Sequence, residues 1–290
     1  VDATQPSFLE RHDFLIRRLH SLSGLIPVGA YMVIHLLTNA TVLNSPGSYQ
    51  ASVYGIHSLG ILLPVVEWTF IFIPILFHGI VGVWIVMEGL PNTRSYPYAS
   101  TVRYYLQRMT GVIAFIFIFY HVFHMHGWFH FEWWHENITE PFGGAQFKPY
   151  SATSTTAAAL QNGLVTAAYF VGIAASVFHL ANGIWTMGIT WGVWTTPAAM
   201  RRANWVCGGL GILVLFVGLS ALFGMRDYAA GEDREEAVEI ENKMYKAKVE
   251  AGLIEPEPGK RAVETAETAT AASAGTAGNA AAETGSQPSE

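Results

Sequence analysis

Residues 109–128, MTGVIAFIFIFYHVFHMHGW, form an apolar run broken by a single histidine, His121, before His124, His126 and a tryptophan close it. A histidine is costly at lipid depth, and an ionisable side chain kept there marks a functional site. Three other apolar runs repeat the arrangement, with His35 in MVIHLL, His78 in ILFHGIVG and His179 in SVFHLANG. The runs decide the fold, and the histidines point to the chemistry.

About 20 predominantly apolar residues cross a bilayer as a helix, and the sequence predicts five such spans, at 21–43, 64–88, 104–128, 163–190 and 204–225. The expected fold class is an all-α membrane protein, a bundle of five transmembrane helices. Composition agrees, with 51% hydrophobic and only 13% charged residues, against about a quarter charged in soluble domains. Pro27, Pro64 and Pro74 fall in or beside these runs, which membrane helices tolerate when neighbours satisfy the freed carbonyls. No basic segment with a short apolar stretch and a cleavage site precedes the first run, so it reads as a retained helix.

Basic residues set the orientation. Arg11, Arg17 and Arg18 precede the first run, Arg94, Arg103 and Arg108 surround the loop 89–103, and Arg201 and Arg202 lie in the loop 191–203. The loop 44–63 has no Lys or Arg, and the loop 129–162 has only Lys148. The N-terminus is therefore expected in the cytoplasm and the C-terminus outside. Three regions are expected: a transmembrane domain over 1–226, a charged amphipathic helix over 227–252, and a low-complexity tail over 253–290. The helix has an apolar stripe at Ala237, Ile240, Met244, Ala247 and Ala251, with the three-four spacing of a helix face. The tail has too little apolar surface to order itself.

The net charge of −6 collects beyond Asp227, so nucleic acid is not an expected partner. Cys207 is the single cysteine, which excludes an intrachain disulfide, a cysteine-ligated iron–sulfur cluster and a C-x-x-C-H haem attachment. Redox chemistry in this chain must use histidine or come from partner chains.

Depth sorts the four intramembrane histidines into pairs. His35 lies 9 residues before Asn44 and His121 lies 9 before His130, about 14 Å from the outer end at 1.5 Å per residue. His78 and His179 lie 14 and 18 residues from Pro64 and Gln161, about 20 Å or more from that end. Two imidazoles at matched depth on different helices are what a bis-histidine haem b needs. Gly29, Gly79, Gly82, Gly111, Gly172 and Gly183 near them leave room for a flat macrocycle or for close helix packing. His130 and His135 fall in an interfacial belt with Trp128, Trp133 and Trp134. His126 and His130 have an i, i+4 spacing that can hold a metal, although contact with a haem propionate, a quinone or water is the preferred reading.

The stretches RRLHSLSGLIPVGAYMVIHL (17–36), EWTFIFIPILFHGIVGVW (67–84), LQRMTGVIAFIFIFYHVF (106–123) and VFHLANGIWTMGITWGVWTTP (177–197) resemble the dihaem cytochrome b membrane anchor of succinate dehydrogenases, in its five-helix single-chain form. The resemblance covers about residues 14–224. It implies that His78 and His179 ligate a haem proximal to the soluble subunits, and that His35 and His121 ligate a distal one. It implies flavin (FAD) and iron–sulfur clusters on two partner subunits, a flavoprotein and an iron–sulfur protein. Localisation would be the bacterial cytoplasmic membrane, in contact with lipid.

Glu67 matches a carboxylate near the outer quinone site and could exchange the quinone's proton; an interfacial solvated carboxylate is the alternative. Arg17, His20, Ser21 and Arg108 lie near the inner boundary, where they could meet haem propionates or the soluble partner. Two haems and an outer quinone site suit menaquinone as substrate. Val177 stands where some fumarate reductases place a glutamate, so the transmembrane proton route built on that residue is not expected. A cytochrome b serving a quinol:fumarate reductase or another quinone-linked dehydrogenase is the alternative function, and a non-redox transporter a more distant one.

Overall fold

The computed structural model describes residues 8–89, 98–129 and 131–262. Arg94, His130 and the tail from 263 onward lie outside the described residues. Among the described residues every regular element is helical. Five helices are long and apolar enough to cross a membrane: Arg11–Leu43, Gly60–Glu88, Ser100–His126, Gly163–Thr190 and Pro197–Asp227. Their lengths of 27 to 33 residues correspond to about 40–50 Å, well beyond a hydrocarbon core of about 30 Å. Several helices run past the limits read from hydropathy because their charged ends remain helical; Phe8–Ser23 already carries Arg17 and Arg18. Their large side chains face outward, as with Ile61 at 91% and Trp205 at 80% exposure, and a surface of that kind needs lipid around it.

Two spans are interrupted. The first widens at Gly24–Gly29, where Ile26 leaves helical geometry beside Pro27, and the second widens at Trp68–Phe72. The two widened segments adjoin each other. Turns of this π-helical kind occur frequently at functional sites. Pro64 lies in the first turns of the second span, whereas Pro74 follows the widened turn Trp68–Phe72 inside the continuous helix Gly60–Glu88, where a missing N–H interrupts the regular ladder.

The fourth span packs between the third and the fifth. The first span divides its contacts: Phe8–Ser23 lies on Ile73–Glu88, and Ala30–Ala40 on the fifth span. Glycines let these helices approach. A Cβ at Gly172 would lie 2.1 Å from the Phe117 ring, and one at Gly211 2.9 Å from Ala181. Arginine and tryptophan mark one end of the bundle, with Arg17 over Trp84, Arg18 over Trp191 and Arg103 over Trp185. We call this the basic end.

The opposite end is capped by three helices, Pro46–His57, Ala152–Ala159 and Gly231–Glu250, which pack on one another. Buried Gln50 donates to the Pro149 carbonyl at 2.8 Å and accepts from the Ala152 N–H at 2.9 Å. Buried Glu241 accepts from the N–H groups of Thr153 and Ser154 at 2.6 and 2.9 Å and from the Ser154 hydroxyl at 2.6 Å. It thereby satisfies donors that the first turn of Ala152–Ala159 would leave unpaired. Burial pushes the Glu241 carboxyl above the ordinary carboxylate range, against the downward pull of these bonds. Ala237 of the apolar stripe is fully buried, and Ile240 and Met244 approach Gly47. Ordered packing continues past 252: the Tyr150 N–H donates to the Lys260 carbonyl at 2.9 Å, and the Ala262 N–H to Ser151 Oγ at 3.2 Å.

Candidate haem-binding sites

The structure brings together the histidines that share a depth. The ring centres of His78 and His179 lie 6.0 Å apart, and those of His35 and His121 5.8 Å apart. Two metal–imidazole bonds of about 2 Å, placed end to end with about 1 Å more to each ring centre, span about 6 Å. Both separations therefore suit one iron between two imidazoles. Among the described residues, no group of three or more His, Cys, Asp or Glu side chains could hold a metal ion.

The surroundings of the first pair orient both rings. His78 Nδ1–H donates to the His20 carbonyl at 2.9 Å, and His179 Nδ1–H donates to the Gln107 carbonyl at 3.0 Å. A carbonyl only accepts, so the proton sits on Nδ1 and each Nε2 keeps its lone pair for a metal. A Cβ at Gly24 would lie 2.2 Å from His78 Cε1, and one at Gly111 2.7 Å from His179 Cε1. Each ring thus rests against a helix backbone that only glycine leaves bare. His20 stacks on His78 with ring centres 4.0 Å apart, and its buried Nδ1 has no hydrogen-bond partner.

A cavity of about 1060 Å³ opens beside this pair, lined by His20, Gly24, His78, Gly79, Gly111 and His179 among others. Its size is at the upper end for a cofactor pocket. At the basic end it reaches Arg17, Ser21 and Arg108. Arg17 is already paired with Asp13 at 2.8 Å and with Glu88. Ser21 accepts from the Trp191 indole at 2.9 Å. Arg108 lies over Tyr104 and Arg18, also on the cavity wall, over Phe14 and Trp191; neither has a carboxylate partner among the described residues, so both guanidinium groups can receive an acidic group of a ligand. The residues present fit a haem here.

His35 and His121 do not border that cavity. Tyr31 stacks on His35, and Phe117 and Tyr169 pack on His121. The pair has the spacing for an iron, but aromatic rings fill the space a macrocycle would take, and they must turn aside to admit one. His121 Nδ1 lies 3.2 Å from the Tyr169 hydroxyl, which also meets Nδ1 of buried His124 at 2.8 Å. His35 Nε2 lies 3.4 Å from the Asn39 amide, whose shorter bond, 2.8 Å, goes to the His35 carbonyl.

Glu67 ends the helix Leu63–Glu67 directly before the widened turn, near enough to interact electrostatically with the Tyr31 hydroxyl. His126 packs on Phe72, and His135 bonds to Thr139. Sequence reasoning passed over Gly24, Gln107, Tyr169 and Asn182. Gln107 and Asn182 carried a signal, since amides inside apolar runs need partners.

Five spans wrapped around paired intramembrane imidazoles define a multi-pass cytochrome-type membrane protein. No family model matches the chain. Over 211 residues it is 30% identical to the succinate dehydrogenase cytochrome b558 subunit of Bacillus subtilis (strain 168), an alignment covering 73% of this chain and 96% of that protein. The chain belongs to the family of succinate dehydrogenase cytochrome b membrane anchors, multi-pass proteins of the bacterial cytoplasmic membrane.

Proposed function

We propose that the chain anchors a succinate:quinone oxidoreductase in the membrane and links its iron–sulfur subunit to a quinone, with one haem b between His78 and His179 and a second between His35 and His121. The observation that carries this reading is the proximal pair: two imidazoles 6.0 Å apart, each with Nδ1 tied to a backbone carbonyl, beside a glycine-lined cavity. Haem b bound there supplies one-electron transfer between the soluble partner and the quinone.

The chain's own residues do the rest. The carbonyls of His20 and Gln107 hold the proximal imidazoles in the ligating tautomer. Arg108 offers its guanidinium to a carboxylate at the basic end, with Arg17, His20 and Ser21 completing that rim. This end faces the cytoplasm and docks the iron–sulfur subunit, which carries the flavoprotein with its FAD and the dicarboxylate site. Glu67 lies 11 residues before His78, about 16 Å along the helix toward the outer end of the second span. It passes protons from outer water to the quinone oxygens.

Menaquinone suits this arrangement. Its low potential makes reduction by succinate unfavourable, and moving one charge across 100 mV contributes about 2.3 kcal/mol. Fumarate reduction would use the same parts in the opposite direction. Pyridine haemochrome analysis of the purified complex tests the reading: two b haems per copy of this chain are expected, and one or none overturns it.

A further inference from the structure

A line of polar side chains runs from the basic end to the His179 main-chain carbonyl, beside the imidazole. Arg103 donates from Nε to Asn182 Oδ1 and from Nη1 to Asn204 Oδ1 at 2.6 Å, with its guanidinium 3.8 Å from the centre of the Trp185 ring. Asn182 is buried, and its Nδ2 donates to Gln107 Oε1 at 2.6 Å. Gln107 Nε2 donates to the His179 carbonyl at 3.1 Å and lies 3.2 Å from His179 Nδ1.

The polarity of the line is fixed from its charged end. A guanidinium only donates, so Asn182 must present its oxygen to Arg103 and its nitrogen to Gln107. Gln107 must then turn its oxygen to Asn182 and its nitrogen to His179. Flipping Gln107 alone would set its Nε2 against Asn182 Nδ2, and flipping Asn182 alone would set its Nδ2 against the guanidinium; two opposed donors in a buried site cost about 1–3 kcal/mol per unsatisfied group. His179 and Asn182 stand three residues apart on one helix, and Gln107 and Gly111 four apart on its neighbour, so each pair shares a helix face. The imidazole is thus seated on Gly111 with its Nδ1–H on the Gln107 carbonyl, and the Gln107 side chain, held by Asn182, bonds back to the His179 carbonyl.

We propose that Gln107, Asn182 and Arg103 are positioning residues for the proximal axial imidazole, fixing the plane of the His179 ring and holding one positive charge at the end of the line. The inference rests on reading His179 as a haem ligand. Ring orientation and nearby charge are both levers on a haem. A fixed cation favours the reduced form, which carries one positive charge fewer.

Redox titration and low-temperature electron paramagnetic resonance of the purified complex, with haem content measured alongside, test this in Arg103→Gln and Asn182→Leu. In Arg103→Gln the reduction equilibrium of the proximal component should shift about tenfold toward the oxidised form, about 59 mV for a one-electron couple. In Asn182→Leu the g-values of the proximal signal should move. The distal component should stay in place in both. Unchanged potential and spectrum in variants of full haem content, or equal shifts in both components, overturn the proposal. Should Asn182→Leu not accumulate, Asn182→Asp keeps the size and the acceptor for Arg103, removes the donor to Gln107, and is read the same way. Arg103→Lys keeps the charge, and a fall as large as that of Arg103→Gln overturns the electrostatic part. A parent complex without haem at His78 and His179 fails the functional reading itself, whereas a loaded parent with unaltered variants fails only this inference.

Discussion

The pair His78–His179 borders a cavity of about 1060 Å³ and ties each Nδ1 to a main-chain carbonyl, whereas His35–His121 is enclosed by Tyr31, Phe117 and Tyr169 and has only side chains as polar partners. The ring separations are nearly equal, 6.0 and 5.8 Å. A carbonyl held in a helix neither rotates nor donates, so it fixes one tautomer. A phenol can do either. Ligand spacing is therefore common to the two sites, while preorganisation belongs to the proximal one.

The largest expected effect would break the comparison at its better-built end. Gly24→Val places side-chain carbon where only 2.2 Å separates a Cβ from His78 Cε1, and the ring cannot retreat without losing its bond to the His20 carbonyl. The proximal spectral component should disappear while the distal one survives. Difference spectra of the purified variant check this, and a full proximal component would show that the seat is not required.

Next in size is Glu67→Gln, which keeps shape but removes the titrating group near the distal pair. Quinone turnover should fall by about 10², with both haem spectra and succinate oxidation by a soluble dye retained. Equal quinone activity across pH 6 to 8 would leave Glu67 an interfacial carboxylate.

A smaller effect is expected in the cap over the distal end. Glu241→Ala leaves the buried N–H groups of Thr153 and Ser154 unsatisfied, at about 1–3 kcal/mol, measurable as faster amide exchange at those positions. Because the folded carboxyl is raised above its unfolded value, the contribution of its protonated form is fully present below the ordinary carboxylate pKa. It is lost as pH rises through the raised one. Exchange in the parent should therefore speed up with pH across that window beyond its intrinsic rate, and Glu241→Gln should abolish this excess; an excess that persists in Glu241→Gln would assign it to another group.

The smallest effect sharpens the comparison. Tyr169→Phe removes the hydroxyl shared by His121 and His124, a hydrogen bond worth about 0.5–1.5 kcal/mol. Only the distal component should move in a redox titration. A shift of the proximal component alone would reverse the assignment of the two sites.

Much of the framework was legible in the sequence because it rests on periodicity and length. Five spans follow from apolar runs, and the matching of His35 with His121 and of His78 with His179 follows from depth along alternating helices. The seats of those rings were not legible. Gly24 and His78, or Gln107 and His179, are far apart in the chain, and the contact between them depends on helix rotation that hydropathy does not encode. His20 shows the same limit: its position near the basic end suggested a contact to a haem propionate or to the soluble partner, and nothing in the sequence showed that its carbonyl accepts from His78 Nδ1–H or that its ring stacks on that residue. Glu241 looked like one charge among many on an acidic helix, and only the packing against Ala152–Ala159 turns it inward.

The most direct test of the central claim is a spectrally resolved redox titration of the four single variants His35→Ala, His78→Ala, His121→Ala and His179→Ala. Losing either ligand of a pair should remove the same component: His78→Ala and His179→Ala one of them, His35→Ala and His121→Ala the other. Loss of a common component in His35→Ala and His78→Ala would contradict the pairing.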